Sequence, residues 1–120
     1  FVITGGSGEI AAQLIKWLLG FQPKAIVLLS RSQPKILTDS VLADFSNTEV
    51  VYFSCDVGDA LSLTDALNTI YSSWGSVRGV FHTAGLASYM PSLTLSQDEI
   101  FNVFKPKVQG CLNLISYFLD

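Results

Sequence analysis

The sequence predicts an α/β domain in which a parallel sheet carries helices on both faces, and three observations lead to this class. In residues 1–11, a β-branched and aromatic run stops at a glycine cluster, which leads into an apolar segment that favours a helix. Residues 25–29 form a continuous apolar run of strand length, as is typical of a strand buried on both faces. Strands and helical segments alternate along the chain, so right-handed crossovers give the strand order 3-2-1-4.

The individual elements follow from apolar spacing and from the residues that begin and end helices. Asp59 is the expected N-cap of a helix that stops at Gly75, and Ser96 with Glu99 forms an expected capping box. Pro106 should bend the last helix, because a proline cannot donate a main-chain hydrogen bond. The predicted strands cover residues 1–4, 25–29, 49–53 and 77–82, and the predicted helices cover residues 10–19, 38–45, 60–74 and 97–120.

Composition indicates a folded interior and argues against several classes of partner. Of the 120 residues, 49% are apolar and 14% are charged, and the net charge of −3 comes without a basic cluster, so we expect no nucleic-acid partner. No apolar run has the length of a membrane span and no signal peptide is visible, so we expect no membrane partner and a cytoplasmic location. Cys55 and Cys111 lack metal-ligand spacing, which predicts reduced thiols and no metal site.

The chain is expected to be a single, incomplete domain. It starts with Phe1 directly inside a strand, and the predicted sheet lacks the second half of a doubly wound fold. The high apolar content also suggests that other parts of a longer protein cover some of these residues. We therefore expect residues 1–120 to be a Rossmann-like unit that is truncated before its second half.

The glycine cluster fits a dinucleotide-binding turn in either of two registers. Gly6-x-Gly8-x-x-Ala11 satisfies the pattern G-x-G-x-x-G/A in full. The register T-G-x-x-x-G-x-G instead begins at Thr4, and it places Glu9 and Ala11 where glycines are expected. A carboxylate at Glu9 repels a pyrophosphate, although it also stabilises the start of a helix. The alternative is a structural turn that only connects a strand to a helix.

The residues after the second strand indicate which dinucleotide would bind. An acidic side chain at this point accepts a hydrogen bond from the 2′-hydroxyl of NAD. Here Ser30, Arg31 and Ser32 offer a guanidinium flanked by hydroxyls, which suits a 2′-phosphate, so the cofactor indicated is NADP. The alternative for Arg31 is an exposed arginine in a polar loop.

Polar and small residues also follow the third and fourth strands. Asp56 either accepts from an adenine amino group or caps the segment that follows it. Thr83, Ala84 and Gly85 are small enough for a ribose or a nicotinamide to lie against the strand end. His82, the single histidine, has no carboxylate or serine beside it in the sequence, so we favour a buried, structurally bonded imidazole over a general base.

Five motifs, in order and spacing, resemble the ketoreductase domain of modular polyketide synthases and animal-type fatty acid synthases, within the short-chain dehydrogenase/reductase superfamily. They are TGGSGEIA, LLSRS, CDVGD, GVFHTAGL and FKPKVQGCLNL, and the match runs over residues 1–120. The P-K-x-x-G element separates these ketoreductases from ordinary short-chain dehydrogenases. The resemblance implies that NADPH reduces a β-ketoacyl group held on an acyl carrier protein, beside neighbouring synthase domains.

The resemblance also assigns roles to individual residues. From the residues alone, both Lys105 and Lys107 are expected at the solvated surface, as is usual for lysines on a helix. The resemblance places the family's catalytic lysine at Lys107 and not at Lys105. The implied cofactor contacts are Gly5, Gly6, Ser7, Gly8 and Ile10 for the pyrophosphate, Ser30 and Arg31 for the 2′-phosphate, Asp56 and Val57 for the adenine, and Thr83, Ala84 and Gly85 for the nicotinamide ribose.

The sequence also departs from the family pattern. It ends before the family's serine, tyrosine and asparagine, so we expect the isolated 120 residues to be inactive; Tyr117 lies on the lysine's own helix and is no substitute. Residues 86–89 lack the leucine-aspartate-aspartate signature of one stereochemical class, which favours the other hydroxyl configuration. Two alternatives stay open: a degenerate ketoreductase-like domain that scaffolds a synthase, which Glu9 favours, and a non-catalytic NADP-binding module.

Overall fold

The computed structural model describes an α/β fold over residues 1–34, 47–88 and 91–119. The strands are β1 (Val2–Thr4), β2 (Ala25–Ser30), β3 (Glu49–Ser54) and β4 (Val80–His82), and the helices are α1 (Glu9–Leu19), α2 (Ala60–Trp74), α3 (Gln97–Lys107) and α4 (Gln109–Leu119). A short 3-10 helix, Ser92–Thr94, precedes α3. The helix predicted at residues 38–45 lies outside the described residues.

The strands form one parallel sheet in the order β3-β2-β1-β4, which confirms the predicted fold class and strand order. The strand β1 is central, because it pairs with β2 on one side and with β4 on the other. Thr4, its last residue, stands level with Leu29 of β2 and with His82 of β4. Since the strands are parallel, their carboxyl ends meet at one edge of the sheet.

Helices cover both faces of the sheet, and each face has its own apolar core, because successive side chains of a strand point to opposite faces. The core against α1 consists of Ile3, Ala11, Ile15, Leu18, Leu19, Ile26 and Leu28. The core against α2 and α4 consists of Val2, Ala25, Val27, Leu29, Cys55, Val57, Leu63, Ala66, Leu67, Ile70 and Leu114. Every residue of β2 is buried, as its continuous apolar run predicted.

Both predicted helix caps are confirmed. The Asp59 carboxylate accepts hydrogen bonds from the main-chain N–H groups of Leu61, at 3.0 Å, and Ser62, at 3.2 Å. At the start of α3, the Ser96 hydroxyl accepts from the N–H of Glu99, and the Glu99 carboxylate accepts from the N–H of Ser96 at 2.8 Å. These bonds satisfy donors that the first turn of a helix leaves without partners.

The strand β4 is shorter than predicted, since it begins at Val80 and not at residue 77. Its only neighbour in the described sheet is β1, which is three residues long, so the ladder between them covers only Val2–Thr4 and Val80–His82. One further bond extends the pairing, because the N–H of Val2 donates to the carbonyl of Gly79 at 3.0 Å.

The prediction of one bent helix at the end of the chain is wrong in its bounds. Two helices, α3 and α4, meet at Val108, two residues after Pro106. Pro106 has no N–H to donate to the preceding turn, and its carbonyl accepts a bond from outside the helix, from His82. The hydrogen-bond series is therefore weakest around this proline, and the chain changes helix just beyond it.

The two last helices expose a broad apolar surface. On α4 the buried residues are Gly110 and Leu114. The exposed apolar side chains of the pair are Ile100, Phe101, Phe104, Val108, Leu112, Ile115, Phe118 and Leu119. The high apolar content of the sequence thus lies partly on this surface and not in the core.

Leu67→Ala should lower the free energy of unfolding by about 2–5 kcal/mol, because Leu67 is fully buried between α2 and the sheet and its loss leaves a cavity. Leu61→Ala is the matched control on the same helix, since Leu61 is 78% exposed, and it should change stability by less than about 0.5 kcal/mol. Urea unfolding followed by circular dichroism measures both values. Equal losses for the two variants would contradict the described packing of α2.

Candidate functional site

A cavity of about 320 Å³ opens at the edge of the sheet where all four strands end. The turn after β1, the ends of β2 and β3, the segment after β4 and one side of α3 form its wall. The lining residues are Gly5, Ser7, Gly8, Leu29, Ser30, Arg31, Ser32, Cys55, Asp56, Val57, Thr83, Ala84, Gly85, Leu86, Asn102, Lys105 and Pro106. In open parallel sheets this edge, at the point where the strand order reverses, is where ligands bind.

The turn between β1 and α1 requires glycine at two positions. Gly5 has a φ of +69°, and a side chain on it would lie 2.7 Å from the main-chain nitrogen of Ala84. Gly6 is buried against β2, where a side chain would meet the Cβ of Leu28 at 2.7 Å. Gly5 therefore lets the turn approach the end of β4, and Gly6 lets it lie on β2.

The first turn of α1 is open to an anion at its amino end. The N-cap is Gly8, which lines the cavity and has no side chain to accept from the first N–H groups. The helix dipole adds a partial positive charge at the same place. Glu9 and Ile10 follow on this turn, are exposed, and are not among the residues that line the cavity. Of the predicted pyrophosphate contacts, Gly5, Ser7 and Gly8 thus lie at the cavity, whereas Gly6 lies beneath the turn and Ile10 lies outside the wall.

The segment after β2 places a cation and several hydroxyls beside this turn. The Ser30 hydroxyl donates to the carbonyl of Ser32 at 2.6 Å, and the Ser32 hydroxyl donates to that of Ser7 at 3.3 Å. Arg31, between the two serines, is exposed and lines the cavity. Ser30 and Arg31, which the sequence assigned to one site, both line this cavity.

An ion pair crosses the cavity between the end of β3 and α3. The ammonium of Lys105 donates to one carboxylate oxygen of Asp56 at 3.0 Å, and the N–H of Gly58 donates to the other oxygen at 2.9 Å. Partial burial of Asp56 opposes ionisation, but the bonds from Lys105 and Gly58 outweigh it and hold the pKa of this carboxyl below its usual range. The expectation that Lys105 is a solvated surface lysine is therefore wrong.

Lys107 lies near the end of β4, on the other side of Pro106 from Lys105. Its side chain passes over Gly85, and a side chain added to Gly85 would lie 3.4 Å from the Cε of Lys107. Lys107 is exposed and does not itself line the cavity, whereas Thr83, Ala84 and Gly85 do. The structure thus brings the predicted catalytic lysine close to the residues predicted to hold the nicotinamide ribose.

The end of β4 is fixed by its bonds to Thr4. The carbonyl of Thr4 accepts from the N–H of Thr83 at 3.2 Å and from its hydroxyl at 2.7 Å. The Thr4 hydroxyl in turn lies 2.7 Å from Nδ1 of His82. His82 is hydrogen-bonded through both ring nitrogens, as its structural interpretation predicted, but it is half-buried and not buried.

The charges at the cavity favour an anion. Its lining carries two cations, Arg31 and Lys105, against the single carboxylate of Asp56, although the whole chain has a net charge of −3. Cys55 also lines the cavity as a buried free thiol, and burial raises its pKa, so it contributes no charge at neutral pH. The site is therefore locally positive, with main-chain donors at a helix start and hydroxyls beside them.

Other kinds of site find no support in the described part of the chain. Over residues 1–34, 47–88 and 91–119, no group of three or more histidine, cysteine, aspartate or glutamate side chains is placed to hold a metal ion. Within the same residues, each helix is too short or too polar to cross a bilayer.

Comparison with known proteins identifies the class to which this fold and cavity belong. The model of the KR domain family matches residues 1–120, which is the whole chain. The chain therefore belongs to the KR domain family, the ketoreductase domains of polyketide synthases within the short-chain dehydrogenase/reductase superfamily.

The individual relatives agree with this assignment. A phenolphthiocerol/phthiocerol polyketide synthase of Mycobacterium tuberculosis is 30% identical over 115 residues, which make up 95% of this chain and 6% of that synthase. A ketoreductase domain from the bacillaene assembly line superposes with a TM-score of 0.86 at 28% identity, over 96% of this chain and 28% of that one. An alcohol dehydrogenase from the archaeon Thermococcus sibiricus, complexed with 5-hydroxy-NADP, superposes with a TM-score of 0.83 at 25% identity, over 99% of this chain and 51% of that one. The chain thus spans a small part of the synthases it resembles.

Sequence reasoning missed Lys105 and Asn102, which both line the cavity from α3. Asn102 and Lys105 are three residues apart and so share one helix face with Pro106, but the sequence does not say which face of the helix meets the sheet edge. The acidic Asp56 gave a signal for a basic partner, but the partner lies 49 residues away along the chain.

Replacing Lys105 should destabilise the fold in a pH-dependent way. The folded-state pKa of Asp56 is depressed, so the bonds to its carboxylate stabilise the fold above the unfolded-state pKa of about 3.9 and are lost as pH falls through the lower folded-state value. Lys105→Gln should therefore lower the free energy of unfolding at pH 7 by about 0.5–1 kcal/mol, because the pair is partly exposed, and the difference should shrink below about pH 4.

Chemical denaturation across this pH range measures the effect. Lys24→Gln is the matched control, because Lys24 is exposed at the opposite end of β2, and it should show no such pH dependence. A Lys105→Gln deficit that persists undiminished at pH 2 would contradict the ion pair.

Proposed function

We propose that residues 1–120 are the cofactor-binding part of an NADPH-dependent β-ketoacyl reductase domain in a polyketide synthase. The observation that carries this proposal is the cavity at the carboxyl ends of the strands, where a glycine turn, a helix start and Arg31 meet. Membership of the KR domain family supports ketoreduction as the reaction. The substrate class that follows is a β-ketoacyl thioester on an acyl carrier protein, reduced to the β-hydroxyacyl form.

The residues present suit a dinucleotide. Gly5 leaves room that a side chain would fill, and Gly8 leaves the N–H groups at the start of α1 free of a side-chain cap, so a pyrophosphate can approach the main chain. Each Asp56 oxygen accepts one bond and keeps a lone pair, so the carboxylate can still accept from an adenine amino group. Thr83, Ala84 and Gly85 offer a low wall on which a ribose and a nicotinamide can rest.

Preference for NADPH over NADH follows from the segment after β2. A guanidinium binds a phosphate through two parallel hydrogen bonds, and Arg31 stands between two hydroxyls at the position that reads the ribose 2′ group. The segment 30–32 contains no acidic residue that would repel a 2′-phosphate. The archaeal relative in complex with 5-hydroxy-NADP shows a chain of this fold holding such a dinucleotide.

The reaction assigns Lys107 an electrostatic role. NADPH, when bound, supplies the hydride for the keto carbon. Lys107 lies beside Gly85, so its ammonium stands near the nicotinamide end of the site, where a charge develops on the carbonyl oxygen. A nearby ammonium also favours ionisation of a phenol, which is the proton donor in the resembled ketoreductases. Lys107 is therefore the catalytic residue that these 120 residues contribute.

The proposal extends to partners and location. The synthase relatives are far longer than this chain, so neighbouring synthase domains and an acyl carrier protein would deliver and remove the substrate. Cytoplasmic synthesis fits reduced thiols such as Cys55 and Cys111, which are both free.

A second candidate is a degenerate domain that keeps the fold to scaffold a synthase. The observation that favours it is the Glu9 carboxylate in the first turn of α1, because a negative charge there repels a pyrophosphate at the start of the helix. A related candidate is a module that binds NADP without reducing a substrate. The degenerate scaffold predicts no NADPH binding, whereas the NADP-binding module predicts tight NADPH binding with no reaction.

Arg31→Gln should weaken NADPH binding about 10-fold to 100-fold, because a charge-assisted hydrogen bond contributes about 1.5–3 kcal/mol. NADH has no 2′-phosphate, so its affinity should change by less than about twofold. Isothermal titration calorimetry measures both constants on the 120-residue chain. Arg78→Gln is the matched control, because Arg78 lies at the opposite end of the sheet, and it should leave both affinities unchanged.

Two results would contradict the assignment of Arg31. Either NADPH and NADH lose affinity equally in Arg31→Gln, or the unaltered chain binds NADPH no better than NADH. Absence of any NADPH binding would favour the degenerate scaffold.

The 120-residue chain should bind NADPH without oxidising it. The resembled reductases need a tyrosine, a serine and an asparagine beside the lysine, and the matching motif positions lie beyond residue 120. Absorbance at the reduced-nicotinamide band should stay constant when a β-ketoacyl thioester is added. The control is a longer chain that continues past residue 120 through the rest of the domain, which should consume NADPH. Turnover by the 120 residues alone would overturn the role assigned to the missing groups.

A further inference from the structure

His82 connects the end of β4 with the helix that carries Lys107. Its Nδ1 lies 2.7 Å from the hydroxyl of Thr4, and its Nε2 lies 3.0 Å from the carbonyl oxygen of Pro106, the residue before Lys107. Thr4 is fully buried and stands level with His82 in the sheet. The imidazole thus spans the distance between the central strand and α3.

The partners determine which ring nitrogen carries the proton. A carbonyl oxygen only accepts, so Nε2 must donate to Pro106. In the neutral ring Nδ1 then accepts, so the Thr4 hydroxyl donates to it, and the same hydroxyl accepts from the N–H of Ala84 at 3.3 Å. These bonds form one directed series that runs from Ala84 through Thr4 and His82 to Pro106.

We infer that His82 is a positioning residue, which sets the place of Lys107 through the carbonyl of Pro106. This inference rests on the proposed function for the role of Lys107, but not for the geometry. Both ring nitrogens of His82 are engaged, so the neutral imidazole has no free lone pair for a substrate proton. Its effect on the reaction therefore passes through the helix it holds.

The point of attachment explains why this bond matters. Pro106 donates no main-chain hydrogen bond to the preceding turn, and α3 ends one residue later. Lys107 therefore lies at the end of the helix, next to a residue whose main-chain hydrogen bond is missing. The neighbouring contact of His82 is with Gly110, where a side chain would lie 3.4 Å from its Cε1. His82 therefore holds the junction of α3 and α4 against the end of β4, next to Gly85.

Two substitutions of His82 distinguish the effect of its hydrogen bond to Pro106 from the effect of having any polar side chain at this position. The amide nitrogen of glutamine extends as far as Nε2 of histidine and can donate to Pro106, whereas asparagine is one methylene shorter and reaches only toward Thr4. His82→Gln should therefore keep Lys107 in place, and His82→Asn should not.

The ligand-free chain gives the first measurement. The ¹⁵N shifts of the His82 ring should show the Nε2–H tautomer at pH 7.5. Amide hydrogen exchange at Val108 and Gln109 should be about fivefold faster in His82→Asn than in the unaltered chain, the size expected for one neutral hydrogen bond, and unchanged in His82→Gln. The Nδ1–H tautomer, or equal exchange in both variants, overturns the inference whether or not NADPH binds.

Modification of Lys107 by an acetylating reagent, followed by mass spectrometry, gives the second measurement. Bound NADPH should slow this modification in the unaltered chain and in His82→Gln, and it should protect Lys107 about fivefold less in His82→Asn at saturating NADPH. Lys24, at the far end of the sheet, is the internal reference. Undiminished protection in His82→Asn overturns the inference. Failure of the unaltered chain to bind NADPH at all overturns the proposed function, and the exchange measurement then decides the inference by itself.

Discussion

The parallel pairing of β1 with both β2 and β4 is the constraint on which the rest of the structure depends. It sets Thr4 level with Leu29 and with His82, so three strand ends face one another across the central strand. The turn after β1 must then leave the sheet within the space between two neighbours. A positive φ at Gly5 and close packing of Gly6 on Leu28 are the means by which it does so. The cavity is the space that this exit leaves above the strand ends.

The charge at the cavity depends on where the fold places individual charged side chains and not on the overall composition of the chain. The chain is acidic overall, yet Arg31 and Lys105 come from different elements and meet the same cavity. Asp56 bonds to Lys105, which draws α3 toward the end of β3 and engages that ammonium. The ion pair therefore organises the wall of the cavity, while the exposed guanidinium of Arg31 remains available to an anion.

The sequence predicted the parts of the fold that depend on local patterns. The apolar run of β2, the caps at Asp59 and Ser96 and the glycine turn each carry their signal within a few residues. The misses depend on partners far along the chain. The placement of Lys105 is set by Asp56, which lies 49 residues away along the chain. Motif resemblance pointed to Lys107, but no local pattern showed that Pro106 offers its carbonyl to His82.

The junction of α3 and α4 links the two ends of the cavity. Toward the end of β3, the Asn113 amide donates to the carbonyl of Val57 at 2.9 Å, and Gly110 is close enough to Val57 that a side chain would meet it at 2.8 Å. Toward the end of β4, the same junction is bonded to His82. A displacement of the Val57 loop must therefore move the junction or break these contacts, so the loop after β3 and the position of Lys107 are connected through packed atoms over one short span.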